Sequence, residues 1–157
     1  MGVSINHMGL EEDIKQTKGF QSQRQKALVN IIYSEAWLRD KLGTTLKPFG
    51  LTNQQYNVLR ILRGSNPKPL STSSIRDRML DKMSDASRIV DRLFKKGLLE
   101  RKTCSSDKRL VDVFITKEGM SLLDKIDSVM DDLNSNLNTI TEEEAETLNN
   151  ILDKLRG

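Results

Sequence analysis

The fold turns on the stretch Ser84-Asp85-Ala86-Ser87-Arg88-Ile89-Val90-Asp91-Arg92-Leu93-Phe94-Lys95-Lys96-Gly97-Leu98-Leu99-Glu100-Arg101. Ala86, Ile89, Val90, Leu93 and Phe94 recur at helical spacing and form one apolar face, while Asp85, Arg88, Asp91, Arg92 and Lys95 lie off it. Ser84 offers an N-cap, and Gly97 can take the left-handed conformation that ends a helix. From Leu98 the period changes to two. Leu99 to Thr103 and Leu110 to Ile115 then read as strands, joined by the charged run Ser105 to Arg109. A helix with arginines on its open face therefore runs directly into a hairpin with a basic tip.

Working outward, Thr52-Asn53-Gln54-Gln55 is a capping-box pattern that starts a helix carrying Tyr56, Leu59 and Leu62, with Gly64 placed to end it. Pro67 and Pro69 mark a turn, and Ser71-Thr72-Ser73-Ser74 offers several caps for a short helix bearing Ile75 and Met79. Residues 21–47 read as a long helix with Leu28, Ile31, Leu38, Leu42 and Leu46 on one stripe, interrupted by Glu35 and stopped before Pro48. Past the hairpin, Thr116 caps a helix whose Leu123, Ile126, Met130, Leu133 and Leu137 form a narrow heptad-like seam, a pattern expected to pack across a dimer together with the last helix. Thr141-Glu142-Glu143-Glu144 is a second capping box, and Ala145, Leu148, Leu152 and Leu155 form the stripe of that final helix. The expected architecture is mainly α. It is a single domain over 1–157, with a winged helix-turn-helix and two-stranded β-wing over 51–116 and dimerisation helices over 1–50 and 117–157.

Composition narrows the function. The chain has 157 residues, 36% hydrophobic and 30% charged, enough for a folded core with many solvated helical faces. Its charge is uneven. Arg76 to Arg109 holds eleven basic and six acidic residues, 11 − 6 = +5, whereas Met120 to Gly157 holds three basic and nine acidic, 3 − 9 = −6. A basic middle suits a polyanion, although solvated helix faces account for such a pattern equally well. One cysteine forbids an intramolecular disulfide. With no secretory apolar region and no run of 18 apolar residues, the expected location is cytoplasmic, with no membrane partner. Residues before Leu10 lack pattern and read as an arm, with Met8 a second candidate start.

The quoted stretch resembles the recognition helix and following strand of the MarR (multiple antibiotic resistance regulator) family. Ser106-Asp107-Lys108-Arg109, followed by Val113-Phe114-Ile115-Thr116 and Gly119, is similar to that family's wing and the start of its next helix, and Leu51-Thr52 with Gln55 and Leu59 to its second helix. The resemblance covers residues 25–155. The D-x-R wing, the upstream S-R-x-V-D-R-L run and the downstream T-x-x-G are specific in combination. What the resemblance implies is a homodimer made by the first and last two helices, two recognition helices on a pseudopalindromic duplex site, and repression released by a small ligand or by oxidation. Arg78-Met79-Leu80-Asp81-Lys82-Met83 stands where many members of that family have a glycine-containing turn, and reads as a subgroup variant that keeps the fold and bears on half-site preference.

Candidate DNA contacts follow. Arg88 is the leading base reader, since arginine pairs bidentately with guanine, and its alternative is a phosphate contact. Arg92 lies on the same open side. Ser84, Asp85 and Ser87 lie in the first turn, where they either touch DNA or serve as caps. Thr72, Ser73 and Ser74 donate to phosphate or only cap the bracing helix. Arg109 would enter the minor groove, with Lys108 beside it and Asp107 holding it by an ion pair. Tyr33, Trp37, Phe49 and Tyr56 either line a cavity for a small aromatic or amphipathic effector or are plain core. Cys104 lies beside Lys102 and Lys108, which can activate a thiol, but its strand-end position beside the wing argues against a redox switch. His7 is the only histidine, so no metal site, no cofactor and no catalytic pair is expected. A protein-interaction module of the same fold is the alternative function, and a small enzyme the third.

Overall fold

The computed structural model describes residues 9–103, 111–135 and 139–157, with the backbone alone for 131–135. The chain divides into two compact units, residues 1–40 and 41–157, with the boundary inside the long helix.

In the first unit a short helix, α1 (Leu10–Asp13), precedes the long α2 (Gln23–Leu46). Leu10 is buried, and Glu11 pairs with Lys26 of α2 at 2.8 Å. That hydrogen bond, with a smaller charge effect from the same lysine, holds the Glu11 carboxyl below its ordinary pKa. Of the expected α2 stripe, Leu28 and Leu38 are exposed and Leu46 alone is fully buried.

The second unit holds the core. After Leu46 a 3-10 turn, Lys47–Phe49, accommodates Pro48 and ends on Gly50 in the left-handed conformation. α3 (Asn53–Ser65) begins at the expected capping box: Gln55 N–H donates to Thr52 Oγ1 at 3.2 Å, and Thr52 N–H donates to Gln55 Oε1 at 3.2 Å. It runs through Gly64 to an Asn66 cap, so Gly64 is a helical residue and not the left-handed stop expected of it. Nothing in the fold requires a turn one residue earlier, and glycine inside a helix costs only about 1 kcal/mol. α4 (Thr72–Arg78) and α5 (Ala86–Lys95) follow, and Gly97 closes α5 with φ +71°. β1 (Leu99–Thr103) and β2 (Val111–Ile115) pair antiparallel, Leu99 opposite Ile115 and Thr103 opposite Val111. Leu70 adds a third, one-residue rung on Val113, with N–H to carbonyl distances of 3.1 and 3.0 Å in the two directions. The prolines just before it concealed that rung from sequence reading. α6 (Lys117–Ser135) and α7 (Glu142–Arg156) complete the chain, α7 with its expected capping box at Thr141.

α3 is the centre of this unit, packing on α4, α5, α6 and β2. Val58, Leu59, Leu62, Ile75, Met79, Val90, Leu93, Leu99 and Val113 interlock there, all but inaccessible to solvent. Leu123 and Ile126 of α6 join the same core at 0% exposure, with Met130 also buried. This corrects the expectation that they form an intersubunit seam: the protomer's own core has already consumed that face. Leu133 and Leu137 lie outside the described side chains. Arg63 of α3 ties α6 down further, reaching Asp127 at 2.5 Å and Asp124 at 3.8 Å; the Asp127 hydrogen bond raises the guanidinium pKa above its ordinary value.

The T-x-x-G element has a steric origin. Thr116 donates its hydroxyl to the Gly97 carbonyl at 2.8 Å and its N–H to the Leu98 carbonyl at 3.1 Å, and accepts from Gly119 N–H at 3.1 Å. A Cβ on Gly119 would fall 2.5 Å from the Leu98 carbonyl oxygen and 2.8 Å from Ile115 Cγ1. Gly119→Ala should therefore lower unfolding stability by about 1–3 kcal/mol. Gly64→Ala, where a Cβ meets nothing within 4 Å, should raise it by about 1 kcal/mol. Urea unfolding of the two variants checks both signs, and an unchanged Gly119→Ala midpoint would contradict the packing.

Candidate nucleic-acid interface

α5 is sharply two-faced. Ala86, Ile89, Val90 and Leu93 are buried, while Ser87, Arg88, Asp91, Arg92 and Lys95 are exposed together on the opposite side. Its N-cap is Asp85, not Ser84 as expected. Arg88 N–H donates to Asp85 Oδ1 at 3.0 Å, and the Arg88 Nε lies 3.4 Å from Asp85 Oδ2. One carboxylate thus caps the helix and leans on the arginine through Nε. The terminal guanidinium nitrogens, those that can reach a guanine O6/N7 edge, are not engaged in that pair. Ser84 is displaced from capping because its hydroxyl donates to Asp81 Oδ2 at 2.7 Å.

The bracing helix α4 is capped by Ser71, which accepts from Ser74 N–H at 3.1 Å. The hydroxyls of Ser73 and Ser74 lie 2.9 and 3.0 Å from that of Ser71, and Thr72 begins the helix. The serine run is therefore a hydrogen-bonded cluster around one cap.

The base of the wing is locked to α5. Arg101 of β1 makes an ion pair with Asp91 and lies 5.1 Å from the centre of the Phe94 ring, while Lys102 sits 5.0 Å from the Phe114 ring. Lys96 hydrogen-bonds the Gly50 carbonyl, fixing the other end of α5. Sequence reading missed Arg101 as a positioning residue. Its signal was the two-residue strand period, which sets Leu99, Arg101 and Thr103 on one side. Asp107, Lys108 and Arg109, expected at the tip, lie outside the described residues, as do Cys104 and His7.

The four aromatics are distributed differently. Tyr33 and Trp37 are exposed on α2 in the first unit. In the second, Phe49 packs half-buried against the core, and Tyr56 is a core residue whose hydroxyl accepts from Arg60 at 2.8 Å. Among the described residues no group of three or more His, Cys, Asp or Glu side chains could hold a metal, and no helix is long and apolar enough to cross a membrane.

Helix, bracing helix, exposed helix and hairpin, in this order and packing, define a winged helix-turn-helix protein. Residues 51–111 match the model of the MarR family. The chain is 27% identical over 128 residues to the HTH-type transcriptional regulator MhqR of Bacillus subtilis (strain 168), covering 80% of this chain and 87% of that one. Its fold is similar to that of AbsC, a MarR family transcriptional regulator from Streptomyces coelicolor, with TM-score 0.75 and 23% identity over 90% of this chain and 99% of the other. It is also similar to MepR of S. aureus in a complex with DNA, with TM-score 0.71 and 24% identity over 83% and 94%. Over residues 51–111 the chain is thus similar to the MarR family of transcriptional regulators, and the fold similarity extends beyond that stretch.

Proposed function

We propose that the protein binds a specific duplex DNA site as a homodimer, with α5 in the major groove and the wing on the flanking backbone and minor groove. The observation that carries this is the exposed face of α5, where Arg88 is presented by a capping carboxylate while the opposite face is locked into the core. A groove about 12 Å wide admits such a helix, and each base pair shows a distinct pattern there. Ser87, Arg92 and Lys95 lie on the same face for base or phosphate contact, and Thr72 to Ser74 lie at the end of the bracing helix. A repressor role, release by a small aromatic or amphipathic effector and a cytoplasmic location are supported by the family likeness. Occlusion of a promoter is the simplest mechanism, with an effector shifting the population between two dimer geometries.

The dimer is supported by apolar surface that the protomer leaves uncovered: Leu28, Ile32, Trp37 and Leu38 on α2, and Leu148, Ile151 and Leu155 on α7. Monomers rarely expose such stripes. Replacing both Ile151 and Leu155 by glutamate should give a folded monomer in sedimentation equilibrium, and a variant retaining the parent's dimer mass would remove α7 from the interface.

The DNA reading is checked by titrating the parent, Arg88→Ala and Arg109→Ala on a duplex selected from a random library and on random duplex, at several salt concentrations. Arg88→Ala should weaken the selected duplex by about 1–3 kcal/mol more than the random one. Arg109→Ala should weaken both more evenly and flatten log K against log salt by about 0.9. Equal losses for Arg88→Ala with lost specificity for Arg109→Ala would reverse the two roles. Absence of any salt-dependent duplex binding would favour a protein-interaction module instead.

A further inference from the structure

Between α4 and α5 the chain holds two apolar side chains almost wholly in water: Leu80 is 88% exposed and Met83 93% exposed, the highest values for large hydrophobic residues among those described. The connection carrying them is nonetheless well fixed. Met79 is buried, Leu80 N–H donates to Asn57 Oδ1 of α3 at 3.0 Å, and Met83 N–H donates to Asp81 Oδ1 at 3.0 Å. The other Asp81 oxygen accepts from Ser84 at 2.7 Å, and Ser84 leads into the Asp85 cap. Met83 is thus presented by a hydrogen-bonded turn two residues before the cap of α5. The end of a recognition helix that meets base edges is its N-terminal end.

We propose that Met83 is a specificity-determining residue that recognises the 5-methyl group of thymine in the major groove. This rests on the DNA-binding reading above. The thymine methyl is the apolar feature of the major-groove edge, alongside donors and acceptors that suit Arg88 and Ser87. A methionine, unbranched and polarizable, adapts to such a methyl without a preformed pocket. The setting favours DNA over an apolar protein partner. Arg76, Arg78, Lys82 and Arg88 flank Met83 in the sequence against Asp77, Asp81 and Asp85, of which Asp81 and Asp85 are taken up by the turn and the cap, and the stripes suited to a second copy of the chain lie on α2 and α7.

The test replaces thymine by deoxyuridine, which removes only the methyl, in the half-sites of a duplex selected by the full-length protein from a random library. The parent should bind the uracil duplex about fourfold more weakly for each methyl contacted. Met83→Ala should bind the two duplexes equally and keep its preference for the selected over random sequence, because Arg88 is untouched. Three results would overturn the proposal: a parent indifferent to the methyl, a selected half-site without thymine, or a Met83→Ala protein that discriminates as the parent does. A library yielding no preferred sequence would sink the DNA-binding reading with it. Indifference to the methyl on a clearly selected site would sink the Met83 contact alone.

Discussion

The burial of Ala86, Ile89, Val90 and Leu93 against α3, α4 and β1 is the interaction on which the rest of the structure depends. Each large aliphatic side chain removed from water contributes about 1.5–3 kcal/mol, so rotating α5 to expose Ile89, Val90 and Leu93 would cost about 5–9 kcal/mol, comparable with the whole stability of about 5–15 kcal/mol that a domain has. With that rotation excluded, Ser87, Arg88, Asp91, Arg92 and Lys95 must face outward. The proposed function follows by subtraction: Asp91 is taken up by the wing strand, and Ser87, Arg88, Arg92 and Lys95 are the side chains of this face available to a duplex.

Local hydrogen bonding then sharpens what packing leaves loose. Asp81, Asp85 and Asp91, acidic residues in a basic region, are each engaged in organising it. Asp81 shapes the turn, Asp85 caps α5 and leans on Arg88, and Asp91 holds the wing strand through Arg101. Such exposed pairs contribute little stability individually. Their effect here is on direction. They restrict the positions of Arg88 and of the hairpin base, which on the proposed reading reduces the ordering cost of binding a duplex.

Much of this was legible in the sequence because period and capping are local properties. The 3.6-residue spacing of Ala86 to Leu93, the change to a period of two after Leu98 and the boxes at Thr52 and Thr141 needed no tertiary knowledge, whereas Phe94, read onto the same apolar face, is exposed with Arg101 over its ring. What escaped depends on competition between neighbours. Ser84 and Asp85 are both good caps, and only the presence of Asp81 within reach of Ser84 settles which one serves. Leu123 and Ile126 have the spacing of a coiled-coil seam, but such spacing cannot say whether the facing helix belongs to the same chain or to another, and α3 occupies that face. The Leu70 rung on Val113 and the Arg101 contact with Asp91 are non-local and have no sequence period of their own.

The central claim is that the exposed face of α5 reads bases in the major groove. Methylation interference at guanine N7 tests it most directly, because N7 lies on that groove's edge and on no other. On a selected duplex, methylated guanines should be depleted from the bound fraction at two clusters about 10 base pairs apart or a multiple of that, one for each recognition helix. Arg88→Ala should abolish depletion at one guanine in each cluster and leave the others. Interference confined to adenine N3 in the minor groove, or guanine depletion unaltered by Arg88→Ala, would contradict the account.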